Sequence, residues 1–420
     1  MLFYATGGPE KELQKEDLRK ALKITLDSFT DRKNIAVIPP DITRVHSGAG
    51  MITEMLWNLL HERVKTILPA LGTHTPMEKG EISRMYGATP ASLFRDHRWR
   101  SNIDELGRVP SSFISEVTGG RLDFDYPVQV NRLLSSGNHD LLISVGQVVP
   151  HEVTGMANYN KNIFVGCGGS EAINKSHFIG AVYGIENILG TTDNPVRQVL
   201  NKASEIAADR LPLIYILTVI APDSSGALKM RGVFIGDDIE CFLLASALSQ
   251  KVNFTILEER LKKVVVYLDP EEFKSTWLGN KSIYRTRMAI ADQGELIVLA
   301  PGVKTFGEDP EIDRMIRKYG YRTTPEILAF VSGNSDLRNN LSAAAHLIHG
   351  SSEERFTVRY ATTHLSAGEI ESAGYMHGNL HELMKRYNPS RLKTGFNTLT
   401  DGEEIFFISN PATGLWKAQK

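Results

Sequence analysis

The chain has 420 residues, 42% of them hydrophobic and 23% charged, with a formal net charge of −2. That length exceeds what a single core supports, so two domains are expected, and the near-neutral charge gives no electrostatic case for nucleic acid or an anionic membrane. Two cysteines, Cys167 and Cys241, exclude a disulfide framework and any multi-cysteine zinc or iron–sulfur site, and reduced thiols suit a cytoplasmic protein.

The N-terminal stretch meets acidic residues early and does not read as a signal peptide. Leu18, Leu22, Ile24 and Leu26 among charges predict a helix over Lys15 to Phe29. Ile35 to Ile38 reads as a buried strand stopped by Pro39 and Pro40. Asp41, Thr43 and Arg44 come next, then an amphipathic helix over Met51 to Val64 and a strand through VKTILPALG ending at Gly72-Thr73-His74. Strand, loop, helix, strand is the pattern of a parallel sheet with crossover helices.

The segment from Glu78 to Gly137 is less regular, with a helical stretch expected near Pro90 to Arg98. The apolar run LLISVGQVVP then predicts a third strand, with His151 directly after it. The stretch HEVTGMANYNKNIFVGCGGSEAINKSH holds His151, Lys161, the glycine-rich turn Gly166 to Gly169, Lys175 and His177. Leu211 to Pro222 is too short to span a bilayer and reads as a central strand. Helices are expected over Asn194 to Ala208 and Ile239 to Ser249, and a strand over Lys229 to Gly236.

The α/β alternation repeats beyond Lys263. Helices are expected over Lys281 to Ala291, Glu311 to Lys318, Asp336 to Leu347 and Gly378 to Tyr387. Strands are expected at Lys263 to Leu268, Glu295 to Ala300 and Phe356 to Ala361, with Gly402 to Ile408 ending the ordered pattern. The expected architecture is two α/β domains with mostly parallel sheets flanked by helices and a cleft between them: residues 1–262 as the catalytic domain, 263–420 completing the substrate site.

Asp41 to Arg44, His74 and His151 therefore sit at the carboxyl ends of three strands, where open α/β sheets place their binding crevice. Each residue alone has an ordinary explanation: Asp41 as a helix N-cap, Arg44 as an ion-pair partner of Asp41 or Asp31, a single histidine or lysine as a structural or surface group. Their convergence shifts the balance towards a site. No GxxxxGK[ST] and no GxGxxG after a first strand is present. His74, His151 and His177 are compatible with a three-histidine zinc site, or with two acid–bases and one ligand.

The sequence resembles the lactate racemase family, 2-hydroxyacid racemases and epimerases that carry a nickel-pincer nucleotide. The residues that carry the likeness are Asp41-Ile42-Thr43-Arg44, Gly72-Thr73-His74, and His151, Lys161 and His177, spaced by ten (161 − 151) and sixteen (177 − 161). The resemblance implies a covalent thioamide link from Lys161 to the cofactor and nickel ligation by His177. It implies an acid–base pair in His74 and His151, a carboxylate-binding Arg44, and a cofactor cradle that includes Asp41 and Thr43. The implied reaction inverts C2 of a 2-hydroxy acid by hydride transfer to the cofactor, while a histidine takes the hydroxyl proton.

The sequence departs from the family pattern in places. Asn158 and Tyr159 stand where the family usually has two glycines before the lysine, and Thr75 stands where an arginine commonly comes after the histidine. Around Tyr284 the family's glutamine and lysine are replaced by Arg285 and Met288, with Arg287 adjacent. This implies a clamp rebuilt from Tyr284, Arg285 and Arg287 for a substrate other than lactate, longer or more polar, such as a sugar acid. Partners implied are the small substrate, the enzymes that build and load the cofactor, and a second copy of the chain in a homodimer. Alternatives are a zinc-dependent hydrolase or isomerase using the three histidines, and a non-catalytic cofactor-binding protein.

Overall fold

The computed structural model describes residues 1–419 apart from 224 and 413. The chain divides into two compact units, Met1–Tyr183 with Asn187–Asn253, and Gly184–Glu186 with Phe254–Lys420. The boundary expected after Lys262 falls inside a strand of the second unit, Leu261–Tyr267. The chain changes units earlier because Phe254–Leu257 pairs in parallel with Leu415–Ala418 near the C-terminus. That last strand also extends the ordered pattern beyond Ile408.

The first unit is built on a six-stranded sheet. Its spatial order is Leu2–Gly7, Leu228–Gly236, Leu213–Pro222, Leu141–Gln147, Ile35–Ile38, Val64–Ile67. The last four run parallel to one another, and Leu228–Gly236 is antiparallel to Leu213–Pro222. Side chains alternate between two cores. Leu141, Ile143 and Val145 join Leu18, Leu22, Ile52 and Leu56 on one face, while Leu142 joins Ile163, Phe164, Val196 and Leu200 on the other. Burial on both faces explains why Ile35–Ile38 has no polar position at all.

The stretch expected to be helical near Pro90 to Arg98 is not. Only Ala91–Leu93 makes a 3-10 turn; Phe94 then bridges Ile67, so the segment runs extended along the sheet edge. Beyond it lies an antiparallel pair, Ile103–Val109 with Tyr126–Asn131. Two helices in the central stretch escaped the sequence reading: Asn160–Phe164 and Ser170–Tyr183.

The second unit repeats the principle with a six-stranded sheet in the order Met376–His377, Thr357–Ala361, Ile290–Leu299, Leu261–Tyr267, Glu404–Ile408, Gly395–Thr398. Only the pairing of Gly395–Thr398 with Glu404–Ile408 is antiparallel. Two expected helices are shorter than their patterns. Lys281–Tyr284 is one turn before the chain enters Ile290–Leu299. Asp336 to Leu347 breaks into Ser335–Arg338 and Leu341–His349, because the Asn340 side chain caps the second helix by accepting from Ala343 N. Among the described residues no helix is long and apolar enough to cross a membrane.

Candidate functional site

Three adjacent parallel strands of the first unit deliver the candidate residues. Ile35–Ile38 leads into Asp41, Val64–Ile67 into His74, and Leu141–Gln147 into His151. The Asp41 side chain caps the 3-10 turn Ile42–Ser47, one oxygen accepting from Thr43 N at 3.0 Å and from the Thr43 hydroxyl. Its second oxygen lies 2.5 Å from His74 Nδ1. The ordinary reading and the functional one are therefore both met by one carboxylate. Burial acts to raise the Asp41 pKa, but His74, the Thr43 hydroxyl and the Arg44 charge outweigh it and hold the carboxyl at about 2. Tyr86 secures the preceding turn by donating its hydroxyl to Pro40 O.

Arg44 is half-buried, sits at a kink in that turn (φ −115°, ψ 27°), and has no hydrogen-bond or ion-pair partner among the described residues. Neither expected ion pair forms: Asp41 is taken by His74, and Asp31 lies 3.7 Å from Arg32. Thr43 is exposed.

The loop bearing His74 docks on the glycine-rich turn, Gly72 N donating to Gly166 O at 2.8 Å. The glycines at this turn answer to close approach. A Cβ on Gly166 would lie 2.8 Å from the Ala70 Cβ, and one on Gly168 would lie 2.2 Å from Phe164 O. His97, from the basic run, is buried beneath the turn. Its Nε2 lies 3.0 Å from Gly168 O and its Nδ1 2.9 Å from Asn131 Nδ2, and burial lowers its pKa to about 4.

The helix Asn160–Phe164 is fastened over the strand ends by Asn162, whose Nδ2 donates to Ile38 O at 3.1 Å and Ser144 Oγ at 3.0 Å. Lys161 projects from it with no hydrogen-bond or ion-pair partner among the described residues. Desolvation first, and the Arg44 charge second, lower its pKa to about 8. The approach to this helix is strained. Asn158 has φ 65° and Tyr159 has φ 56° with ψ −138°. Asparagine tolerates the left-handed region; tyrosine in this conformation costs about 1–3 kcal/mol. The positions where the family usually carries glycine thus keep a glycine-like backbone without glycine. Packing supplies the compensation: the Tyr159 ring lies 4.5 Å from that of Tyr215 and is stacked 5.2 Å from that of Phe242.

Hydrogen bonding sets the proton of His151 on the opposite nitrogen from those facing acceptors in His177 and His74. In His177, on Ser170–Tyr183, Nδ1 donates to Ile173 O at 2.7 Å, which leaves the Nε2 lone pair available. Desolvation pulls its pKa to about 4, so the imidazole is neutral at ordinary pH. In His74, Nδ1–H faces the Asp41 carboxylate. His151 is the reverse. It is buried, and its Nδ1 accepts from Val153 N at 3.1 Å, so the neutral ring carries its proton on Nε2. Burial lowers its pKa well below the usual value; Glu152 opposes that shift, and Lys161, Arg44 and His177 add to it.

These mutual influences place Asp41, Arg44, His74, His151, Lys161 and His177 in one electrostatic neighbourhood. Glu152 is an anionic member that the sequence reading passed over, although it adjoins His151. Lys175 stands apart, bonded to Asp125 O and Glu171, both at 2.6 Å.

The second-unit residues behave differently. The Tyr284 hydroxyl lies 2.7 Å from His346 Nδ1, and Arg285 donates to Gly414 O at 3.3 Å. Arg287 donates to Glu186 Oε1 at 3.1 Å, His349 O at 3.3 Å and Ser351 O at 3.1 Å. All three side chains are buried inside that unit.

Fold and site together define an α/β protein of two units that gathers a carboxylate–histidine pair, an arginine and a lysine without hydrogen-bond or ion-pair partners among the described residues, and two further histidines at the carboxyl end of its first sheet. Residues 7–184 match the lactate racemase N-terminal domain. A protein of Thermotoga maritima of known crystal structure matches 99% of this chain over 100% of its own, with a TM-score of 0.83 and 24% identity. The lactate racemase apoprotein of Thermoanaerobacterium thermosaccharolyticum matches 97% of this chain over 91% of its own, with a TM-score of 0.68 and 17% identity. At these identities the likeness concerns the fold. No curated protein matches the chain.

Proposed function

We propose that this protein is a racemase or epimerase that inverts the C2 centre of a 2-hydroxy acid with a nickel-pincer nucleotide attached to Lys161. The observation that carries the reading is a lysine amine with no hydrogen-bond or ion-pair partner among the described residues, in the same electrostatic neighbourhood as a histidine whose outward nitrogen is unprotonated. The side chains fit the group. An amine with its pKa near 8 is partly neutral at physiological pH and can attack an acyl or thioacyl carbon. A histidine that donates Nδ1–H to a backbone carbonyl is oriented as metal-ligating histidines are. Asp41 and Thr43 would line the cradle. The bound nucleotide supplies a hydride acceptor and donor.

The remaining work falls to the chain's own residues. Arg44, with its fork of donors unspent, binds the substrate carboxylate through both oxygens. His74 takes the hydroxyl proton at Nε2, and Asp41 stabilises the imidazolium that forms. His151 presents Nε2–H and donates a hydrogen bond to substrate oxygen. On this reading the acid–base pair expected in His74 and His151 divides into a base and a hydrogen-bond donor, because their Nδ1 atoms have different partners. The substrate class stops at 2-hydroxy acid, because Tyr284, Arg285 and Arg287 make hydrogen bonds within the second unit.

The zinc reading needs converging ligands. Among the described residues no group of three or more His, Cys, Asp or Glu side chains is placed to hold a metal ion. Intact-mass spectrometry with metal analysis, on protein made alongside cofactor-synthesis enzymes, tests the proposal. The expected result is a nickel-bearing adduct on Lys161 and inversion of at least one member of a 2-hydroxy acid panel. Stoichiometric zinc with activity surviving Lys161→Ala would overturn it. Adduct without turnover would select the non-catalytic alternative.

A further inference from the structure

Arg197 is among the largest fully buried side chains of the protein, 1% exposed, and it faces no carboxylate among the described residues. A buried cation without a counter-ion is expensive, so its partners are informative. Nη2 donates to Met156 O at 2.6 Å; Nη1 donates to Asn158 O at 3.4 Å and to Asn160 Oδ1. The guanidinium lies 4.3 Å from the centroid of Phe242, the ring that also stacks on Tyr159.

Other residues around the same helix, Pro195–Ala207, complete the grip. Its cap, Asn194, donates to Thr154 O at 3.3 Å. Asn201 and Ser204 accept from Asn160 Nδ2 at 2.7 and 3.2 Å. Residues 154, 156, 158 and 160 are therefore each held from one side, immediately before Lys161 and across the two left-handed residues. One faint signal is legible along the chain: an arginine inside a helix whose neighbours Val196, Val199 and Leu200 are all apolar.

We propose that Arg197 is a positioning residue for Lys161: by holding Met156, Asn158 and Asn160 it fixes the strained backbone from which the lysine projects. The importance of that placement rests on Lys161 being the point of cofactor attachment; the placement itself does not. Arg197 makes no hydrogen bond to Lys161; besides holding the segment, its charge adds a lesser push to the lowered Lys161 pKa, so backbone exchange at 156–161 is the readout that isolates positioning.

The test uses the full-length apoprotein. Trace acetylation with acetic anhydride, read by peptide mass spectrometry, reports the reactivity of Lys161 against the surface lysines. Hydrogen exchange reports the backbone at 156–161. Arg197→Met is expected to slow Lys161 labelling at least about fivefold and to speed exchange at 156–161 at least about tenfold, with Leu213–Pro222 still protected. Arg197→Lys is expected to recover part of both effects. Unchanged exchange at 156–161 in folded Arg197→Met overturns the proposal, whether or not labelling slows, because loss of the charge alone slows labelling. If Arg197→Met does not fold, Asn160→Ala, which removes one acceptor, is read the same way, with a smaller shift in the same direction expected and no shift overturning it. Failure of wild-type protein to form the cofactor adduct would remove the functional reading and leave this result standing.

Discussion

Arg44 in the first unit is half-buried and Arg287 in the second is buried, and their surroundings differ. Arg287 donates to a carboxylate and two backbone carbonyls. Arg44 donates to nothing among the described residues, since Asp41 and Asp31, the two carboxylates expected to pair with it, are occupied elsewhere. The lysines repeat the contrast: Lys175 is bonded to Glu171 and Asp125 O, whereas Lys161 has no partner among the described residues. A polar group that folding leaves unsatisfied is available to a ligand; one that folding has satisfied contributes to stability.

The sharpest way to break this contrast is Lys161→Ala, expected to abolish the adduct and all turnover. In wild type, adduct formation should rise about tenfold per pH unit and level off above about pH 8. The sign comes from a lowered lysine pKa, because the reactive neutral amine increases as pH approaches that value. Asp41→Asn and His74→Gln come next. Each should lower kcat by about 10²–10⁴-fold while leaving the adduct intact, as read by steady-state kinetics beside intact mass.

Arg44→Met should lower kcat/KM by about 10²–10³-fold, the equivalent of about 3–4 kcal/mol for an unpaired substrate carboxylate. Arg287→Met supplies the opposite arm. It should destabilise the second unit by about 2–3 kcal/mol in a denaturant titration, with KM unchanged. A raised KM at unchanged stability would assign Arg287 to substrate and erase the contrast.

The smallest effect is expected for His151→Gln. An amide can replace an Nε2–H donor, so kcat should fall less than about tenfold, whereas His151→Ala should lose more. Nitrogen NMR of the imidazoles should find the proton on Nε2 in His151 and on Nδ1 in His74 and His177. A proton on Nδ1 of His151 would restore the symmetric pair.

Much of the first unit could be read along the chain. Ile35–Ile38 is uninterrupted apolar sequence closed by two prolines, and Leu213–Pro222 is a longer run of the same kind. Because both are buried on two faces, composition alone marks them. The residues just past such strands lie at the sheet's carboxyl edge, so the placement of Asp41, Arg44, His74 and His151 there was legible along the chain. The Pro90 to Arg98 segment misled because its residues tolerate a helix; the pairing of Phe94 with Ile67, twenty-seven positions away (94 − 67), made it extended. The helix carrying His177 went unread because its small and polar residues form no distinct apolar stripe.

The sequence determined which residues arrive at the site, since strand periodicity and the prolines and glycines that end strands act locally. Tertiary structure alone decided what those residues can do. The proton of His151 is set by the backbone of Val153, that of His74 by a carboxylate thirty-three positions away, and the freedom of Arg44 and Lys161 by partners that went elsewhere. A hydrogen bond forms between whichever groups the fold brings within about 3 Å, and separation along the chain has no bearing on that distance.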